Sequence, residues 1–84
     1  MRQFNLEKAL AGAALICRGG YQVRGFAVDP LPSPPDPAIG APAHEYTFEA
    51  KGGGCWWRFY CTAEGEVHPR PECEDMDLFM MEIQ

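Results

Sequence analysis

Two stretches, residues 44–50 and 55–61, alternate apolar and polar side chains in step, and this is the clearest pattern in the chain. They read His-Glu-Tyr-Thr-Phe-Glu-Ala and Cys-Trp-Trp-Arg-Phe-Tyr-Cys around Lys51-Gly52-Gly53-Gly54. Period-two alternation on both sides of a glycine-rich turn predicts an antiparallel hairpin. A four-residue turn pairs Ala50 with Cys55, Phe48 with Trp57 and Tyr46 with Phe59, so Phe48, Trp57, Tyr46 and Phe59 are expected at the centre of one core face. The other face pairs Glu49 with Trp56, Thr47 with Arg58 and Glu45 with Tyr60. Arg58 then lies diagonally within reach of Glu45 and Glu49.

Earlier in the chain, residues 5–11 predict a short helix. Asn5 can cap it by accepting from an amide of the first turn. Leu6, Ala9 and Leu10 share a face, and Gly12 can end it in the left-handed conformation. Residues 13–18 and 21–27 predict another hairpin, in which Gly19-Gly20 pairs Arg18 with Tyr21 and Ile16 with Val23. Residues 29–43 hold six of the eight prolines. Proline lacks the ladder donor and fixes φ, so this stretch predicts a long extended loop and excludes a central strand; it is either a tolerated insertion or a functional loop. Further on, Thr62-Ala63-Glu64-Gly65 reads as a turn and Glu66-Val67-His68 as a short fifth strand before Pro69 and Pro71. Leu78, Phe79, Met81 and Ile83 are apolar enough to pack back onto the sheet. The fold class this predicts is α+β in one domain spanning 1–84: a short N-terminal helix with a four- to five-stranded antiparallel curved sheet or small open barrel.

With 84 residues the core must be small. A hydrophobic fraction of 46 % still allows one. The net charge of −5 changes the functional reading, because it is uneven. Residues 62–84 carry seven carboxylates against Arg70 alone. That end does not suit phosphate binding, which needs Lys and Arg, but does suit a basic partner. Glu72, Glu74, Asp75 and Asp77 are the candidate acidic contacts, with a solvated tail as the alternative. No apolar run approaches the length needed to cross a bilayer and no leader pattern is seen, so a cytoplasmic chain with reduced cysteines is expected.

Four cysteines and two histidines raise the question of a metal. Cys55 and Cys61 stand at opposite ends of one predicted strand, about 20 Å apart, too far to share a metal or a disulfide. The cysteines read as small core hydrophobes, and no metal or cofactor is expected. His44 and Cys61 could face each other at the strand ends, but no orienting group or oxyanion donor completes a nucleophilic site. The glycine run lacks the Lys-Ser/Thr pair and helix of a phosphate loop. An enzyme is therefore not expected. Trp56, Arg58 and Tyr60 form a ladder on the outer face of the predicted sheet. Their residue types are those enriched at binding hot spots, and such a ladder can also stack nucleic-acid bases. The alternative is that the helix or the proline loop covers this face.

The opening Phe4-Asn5-Leu6-Glu7-Lys8-Ala9-Leu10-Ala11-Gly12, the turn Thr62-Ala63-Glu64-Gly65 and the ending Asp77-Leu78-Phe79-Met80 together resemble a set of small proteins encoded by phages and prophages. The resemblance covers about two-thirds of the chain, in pieces. Members carry an Arg-Asp-Gly turn where this chain has Arg18-Gly19-Gly20, and the proline loop and cysteines lie outside the pattern. The resemblance implies an accessory protein of phage origin that binds a host or defence protein, as anti-CRISPR inhibitors do. It implies no catalytic residue. A nucleic-acid-binding module using Trp56, Arg58 and Tyr60 is the second expectation, weakened by twelve acidic against seven basic residues.

Overall fold

The computed structural model describes residues 2–38 and 40–81. Among them are one short helix, α1 (Leu6–Leu10), and five strands: β1 (Leu15–Cys17), β2 (Val23–Ser33), β3 (His44–Gly52), β4 (Cys55–Cys61) and β5 (Leu78–Met80). A single 3-10 turn, Glu74–Met76, precedes β5. All pairings are antiparallel, in two sheets rather than the one expected: β2-β3-β4, and β1 with β5. The described residues are α+β and mostly β, and among them no barrel is closed.

Helix α1 follows the expected logic. Lys8 N donates to Asn5 Oδ1 at 3.0 Å, which uses one of the free amides of the first turn. Gly12 takes φ +95° just beyond the end. Ala9 is the residue it buries.

The β3–β4 hairpin forms, two residues out of the predicted register. Gly53 and Gly54 take φ +60° and +83°, the pattern of a two-residue type I′ turn. This tighter turn pairs Gly52 with Cys55, Ala50 with Trp57, Phe48 with Phe59 and Tyr46 with Cys61. A slip of two preserves the faces and changes the partners. Phe48 and Phe59 stack at 5.7 Å, and Phe48 is fully buried. Trp57 stays on the same face but lies past the core at the hairpin end. It is 60 % exposed, with Nε1 donating to Gly52 O at 3.1 Å. Its expected place at the core centre is thus corrected; Tyr46 and Phe59 pack partly buried against the core.

The glycine turn at 18–20 also differs. Ile16 bridges Gln22, and Cys17 N donates to Tyr21 O at 3.2 Å. That is one residue away from the predicted pairing. A slip of one flips faces, so the local hairpin cannot carry the core and its two arms part. β1 instead zips to β5, with Leu15, Ile16 and Cys17 opposite Met80, Phe79 and Leu78. β2 turns away and pairs with β3.

The proline segment is shorter than predicted, because β2 continues through Pro30 and Pro32 to Ser33. It can do so because β2 is an edge strand, where a missing donor costs no ladder bond. Two irregularities bend it. Gly25, at φ +67°, and Phe26 together oppose Phe48 as a bulge. Residues 29–32 then bow outward, with Leu31 N donating to Asp29 Oδ1 at 3.0 Å.

The predicted strand at 66–68 is not formed, and the fifth strand is β5. Val67 N is taken by a carboxylate, donating to Asp77 Oδ1 at 3.0 Å. The turn before it forms as expected: Gly65 N donates to Thr62 O, and Leu78 N to Gly65 O. Gly65 sits at φ +78° where a Cβ would meet the Phe4 ring at 2.8 Å. The core lies between the two sheets and joins Leu15, Cys17, Phe48, Ala50, Cys61, Val67, Leu78 and Met80. Ile83 falls outside the described residues. No helix among the described residues is long and apolar enough to cross a membrane.

Candidate functional site: the outer face of the three-stranded sheet

Alternation along β3 and β4 turns Thr47, Glu49, Lys51, Trp56, Arg58 and Tyr60 away from the core. Two rows cross the sheet. Arg24, Glu49 and Arg58 are neighbours in one, and Ala27, Thr47 and Tyr60 in the next. Helix α1 and the Phe4–Phe26–Tyr46 aromatic series pack on the opposite side, so the helix does not cover this face; Ser33, at the end of the proline-containing strand, borders it beside Arg58 and Tyr60. Arg24, Lys51, Arg58 and Tyr60 are exposed, and Trp56 is partly buried.

The side chains are held rather than free. The Arg24 guanidinium lies 3.9 Å over the Trp56 ring, and its Nε donates to Glu49 Oε1 at 3.2 Å. Lys51 Nζ lies 6.0 Å from the same ring. Arg58 Nη1 donates to Thr47 Oγ1 at 3.4 Å, and that hydroxyl donates onward to Phe59 O at 3.0 Å. Trp56, Arg58 and Tyr60 therefore share a face as predicted, although Arg58 faces Glu49 and Tyr60 faces Thr47. Arg24 and Lys51 were missed. The period of β2 alone does not reveal its pairing with β3, and the bulge at Gly25 breaks the alternation that would have placed Arg24.

The acidic segment is divided by its ion pairs. Asp77 is 4 % exposed. Arg70 Nη1 and Nη2 donate to its Oδ1 and Oδ2 at 2.8 and 2.9 Å, and Arg18 Nη2 donates to Oδ2 at 3.3 Å. Burial alone would raise the Asp77 carboxyl. The Arg70 hydrogen bonds, the Val67 amide, the charge of Arg70 and the Arg18 hydrogen bond outweigh it and hold the group below the ordinary carboxylate value. Asp77 is thus a structural hub joining 18, 67 and 70, and it leaves the set of candidate contact residues. Arg70 also meets Glu74 at 3.4 Å and Glu66 at 4.0 Å. Glu72 and Asp75 remain exposed carboxylates, and Glu74 is half-buried in its ion pair.

The cysteines are unlinked. Burial first, and the Asp77 charge second, push Cys17 and Cys61 up to about 12, so neither is a thiolate at neutral pH. His44 meets His68 edge to face at 5.4 Å, beside Cys73 in a cavity of about 260 Å³. Among the described residues no three His, Cys, Asp or Glu side chains come together to hold a metal. The Nε2 atoms of both histidines are buried without a hydrogen-bond partner. Burial lowers the His44 imidazole below its ordinary value; a hydrogen bond to Pro42 opposes this and His68 adds to it. The unfolded chain therefore binds a proton on His44 more readily than the fold does. This part of stability is present above the unfolded value of 6.5 and is lost as pH falls below it. Thermal melts should show the wild type less stable at pH 5.5 than at pH 7.5, and His44→Phe losing less between the two.

Compared with family models, curated proteins and solved structures, the chain matches none. The functional reading therefore rests on the residues and on the geometry of this face.

Proposed function

We propose that the chain is a small accessory interaction protein of the phage kind. It acts without catalysis, in the cytoplasm of a bacterial host, by occupying a surface of a host or defence protein, as anti-CRISPR inhibitors do. The observation that supports this reading is the open outer face of β2-β3-β4. Trp56, Arg58 and Tyr60 stand there together, Trp56 under the Arg24 guanidinium that pairs with Glu49, and Arg58 hydrogen-bonded to Thr47. Side chains that are already ordered lose less entropy on binding, and these are the types that concentrate binding energy. Glu72 and Asp75 supply a separate negative patch that would speed encounter with a basic partner surface.

A nucleic-acid reading draws on Arg24 and Lys51 beside Trp56. It is the weaker reading for a local reason besides the net charge of −5. One face of the indole is already covered by Arg24 at 3.9 Å, and a stacking base would have to displace a guanidinium paired to Glu49.

The two surfaces predict separable kinetics once a partner is in hand. Replacing Glu72 and Asp75 by Ala should slow association about three- to tenfold at low salt and leave stability within about 0.5 kcal/mol. Trp56→Ala should raise the off-rate and leave the salt dependence unchanged. Stopped-flow association at two ionic strengths reads both. An unchanged on-rate for the acidic double variant would reduce that patch to solubilising charge.

A further inference from the structure

The two edges of the three-stranded sheet are not equivalent. The β2 edge carries the defences natural sheets use against unwanted pairing: the Gly25 bulge, the outward bow at 29–32, and Pro30 and Pro32. The β4 edge carries one charged residue, Arg58, and no break in the strand. It runs seven residues, Cys-Trp-Trp-Arg-Phe-Tyr-Cys, in unbroken register with β3 and without proline or bulge. Lys51 N donates to Gln22 O, so the odd residues of β3 bond toward β2 and its even residues toward β4. The partners of the even residues are Cys55, Trp57, Phe59 and Cys61, and these bond inward. The amides and carbonyls of Trp56, Arg58 and Tyr60 consequently point away from the sheet. Among the described residues no other segment bonds to them.

The sequence of this edge reads nearly the same in both directions about Arg58: cysteine, two aromatics, arginine, two aromatics, cysteine. An antiparallel strand is related to itself by a two-fold axis, so such a sequence meets itself with like classes opposed. We propose that two copies of this chain join through their β4 edges, antiparallel and centred on Arg58, making one six-stranded sheet from two three-stranded ones. Arg58 meets the partner's Arg58, and Trp56 the partner's Tyr60, as hydrogen-bonded pairs, which is the parity the free backbone groups require. Trp57 meets the partner's Phe59 on the core side. That pairing gives cover to an indole 60 % exposed in the single chain. The outer faces of both copies stay open and become continuous.

One feature opposes the pairing. Two arginines face each other across the axis, and like charges directly opposite are destabilising. The cost is limited, since Glu49 lies beside Arg58 in the ladder and the Thr47 hydroxyl draws its guanidinium back over β3. The dimer is therefore weak, tightens with added salt, and tightens further when Arg58 is neutralised.

Sedimentation equilibrium on the full chain tests this. The mass should rise from 9.3 kDa toward twice that value as concentration increases from about 1 µM to about 1 mM. Arg58→Thr, which keeps a good strand residue, should lower the dissociation constant at least about tenfold. Arg58→Pro should abolish the dimer, because it removes an outward donor that β3 does not use. Register is read independently in a Cys55→Ser background. Arg58→Cys should form a disulfide with its own copy on mild oxidation, since hydrogen-bonded antiparallel partners lie about 5.5 Å apart at Cα. Tyr60→Cys should not. A wild type monomeric throughout the range, an unaltered dissociation constant in Arg58→Thr, or self-linking at 60 rather than 58 would overturn the proposal.

Discussion

Asp77→Asn is expected to lower the melting temperature by about 15 °C. The carboxylate accepts from Arg70 twice, from Arg18 and from the Val67 amide while only 4 % exposed. Neutralising it leaves two guanidinium groups without their shared partner. Breaking a buried pair typically costs 3–5 kcal/mol; both arginines keep some contact with water, so about 3 kcal/mol is expected here. In a domain this size each kcal/mol moves the midpoint by roughly 4–8 °C. The effect should also depend on pH with a definite sign. The folded carboxyl is held below its unfolded value of 3.8, so its contribution is present above that value and is lost as pH falls through the folded one. Thermal melts should therefore show the variant and the wild type converging in acid. A constant gap down to pH 2 would mean that the loss in Asp77→Asn does not come from the missing charge.

The second large effect separates two neighbouring aromatics of the hairpin. Phe48→Ala should cost about 3–5 kcal/mol, because the side chain is fully buried against Phe59 between the sheets. Trp57→Ala should cost about 1 kcal/mol or less, since it gives up a mostly exposed ring and one exposed hydrogen bond. Urea denaturation of both variants measures the contrast. Equal losses would place Trp57 in the core and return the hairpin to the wider four-residue turn.

That contrast shows where the sequence was readable. Alternation at 44–50 and 55–61 gave the hairpin and its faces, because a period of two survives any even slip in register. It did not give the partners. Turn length decides those, and Lys51-Gly52-Gly53-Gly54 accommodates turns of two or four residues. The cap at Asn5 and the turn at Thr62 are local hydrogen-bonding events and were legible from neighbouring residues. The β1–β5 sheet was not. It joins residues more than sixty positions apart, and no local period carries that information. The candidate site divides in the same way. Trp56, Arg58 and Tyr60 were found from one strand. Arg24 needed the β2–β3 register, and the removal of Asp77 needed the positions of Arg18 and Arg70.

The outer sheet face is proposed to bind a protein. Affinity capture from a bacterial host lysate, run with and without nuclease, tests it most directly when the wild type is compared with a Trp56→Ala, Tyr60→Ala double variant. A protein should be captured at a fixed molar ratio, retained after nuclease and lost in the variant, while the variant keeps its melting temperature within about 3 °C. Capture that disappears with nuclease, or that is the same for both proteins, would contradict it.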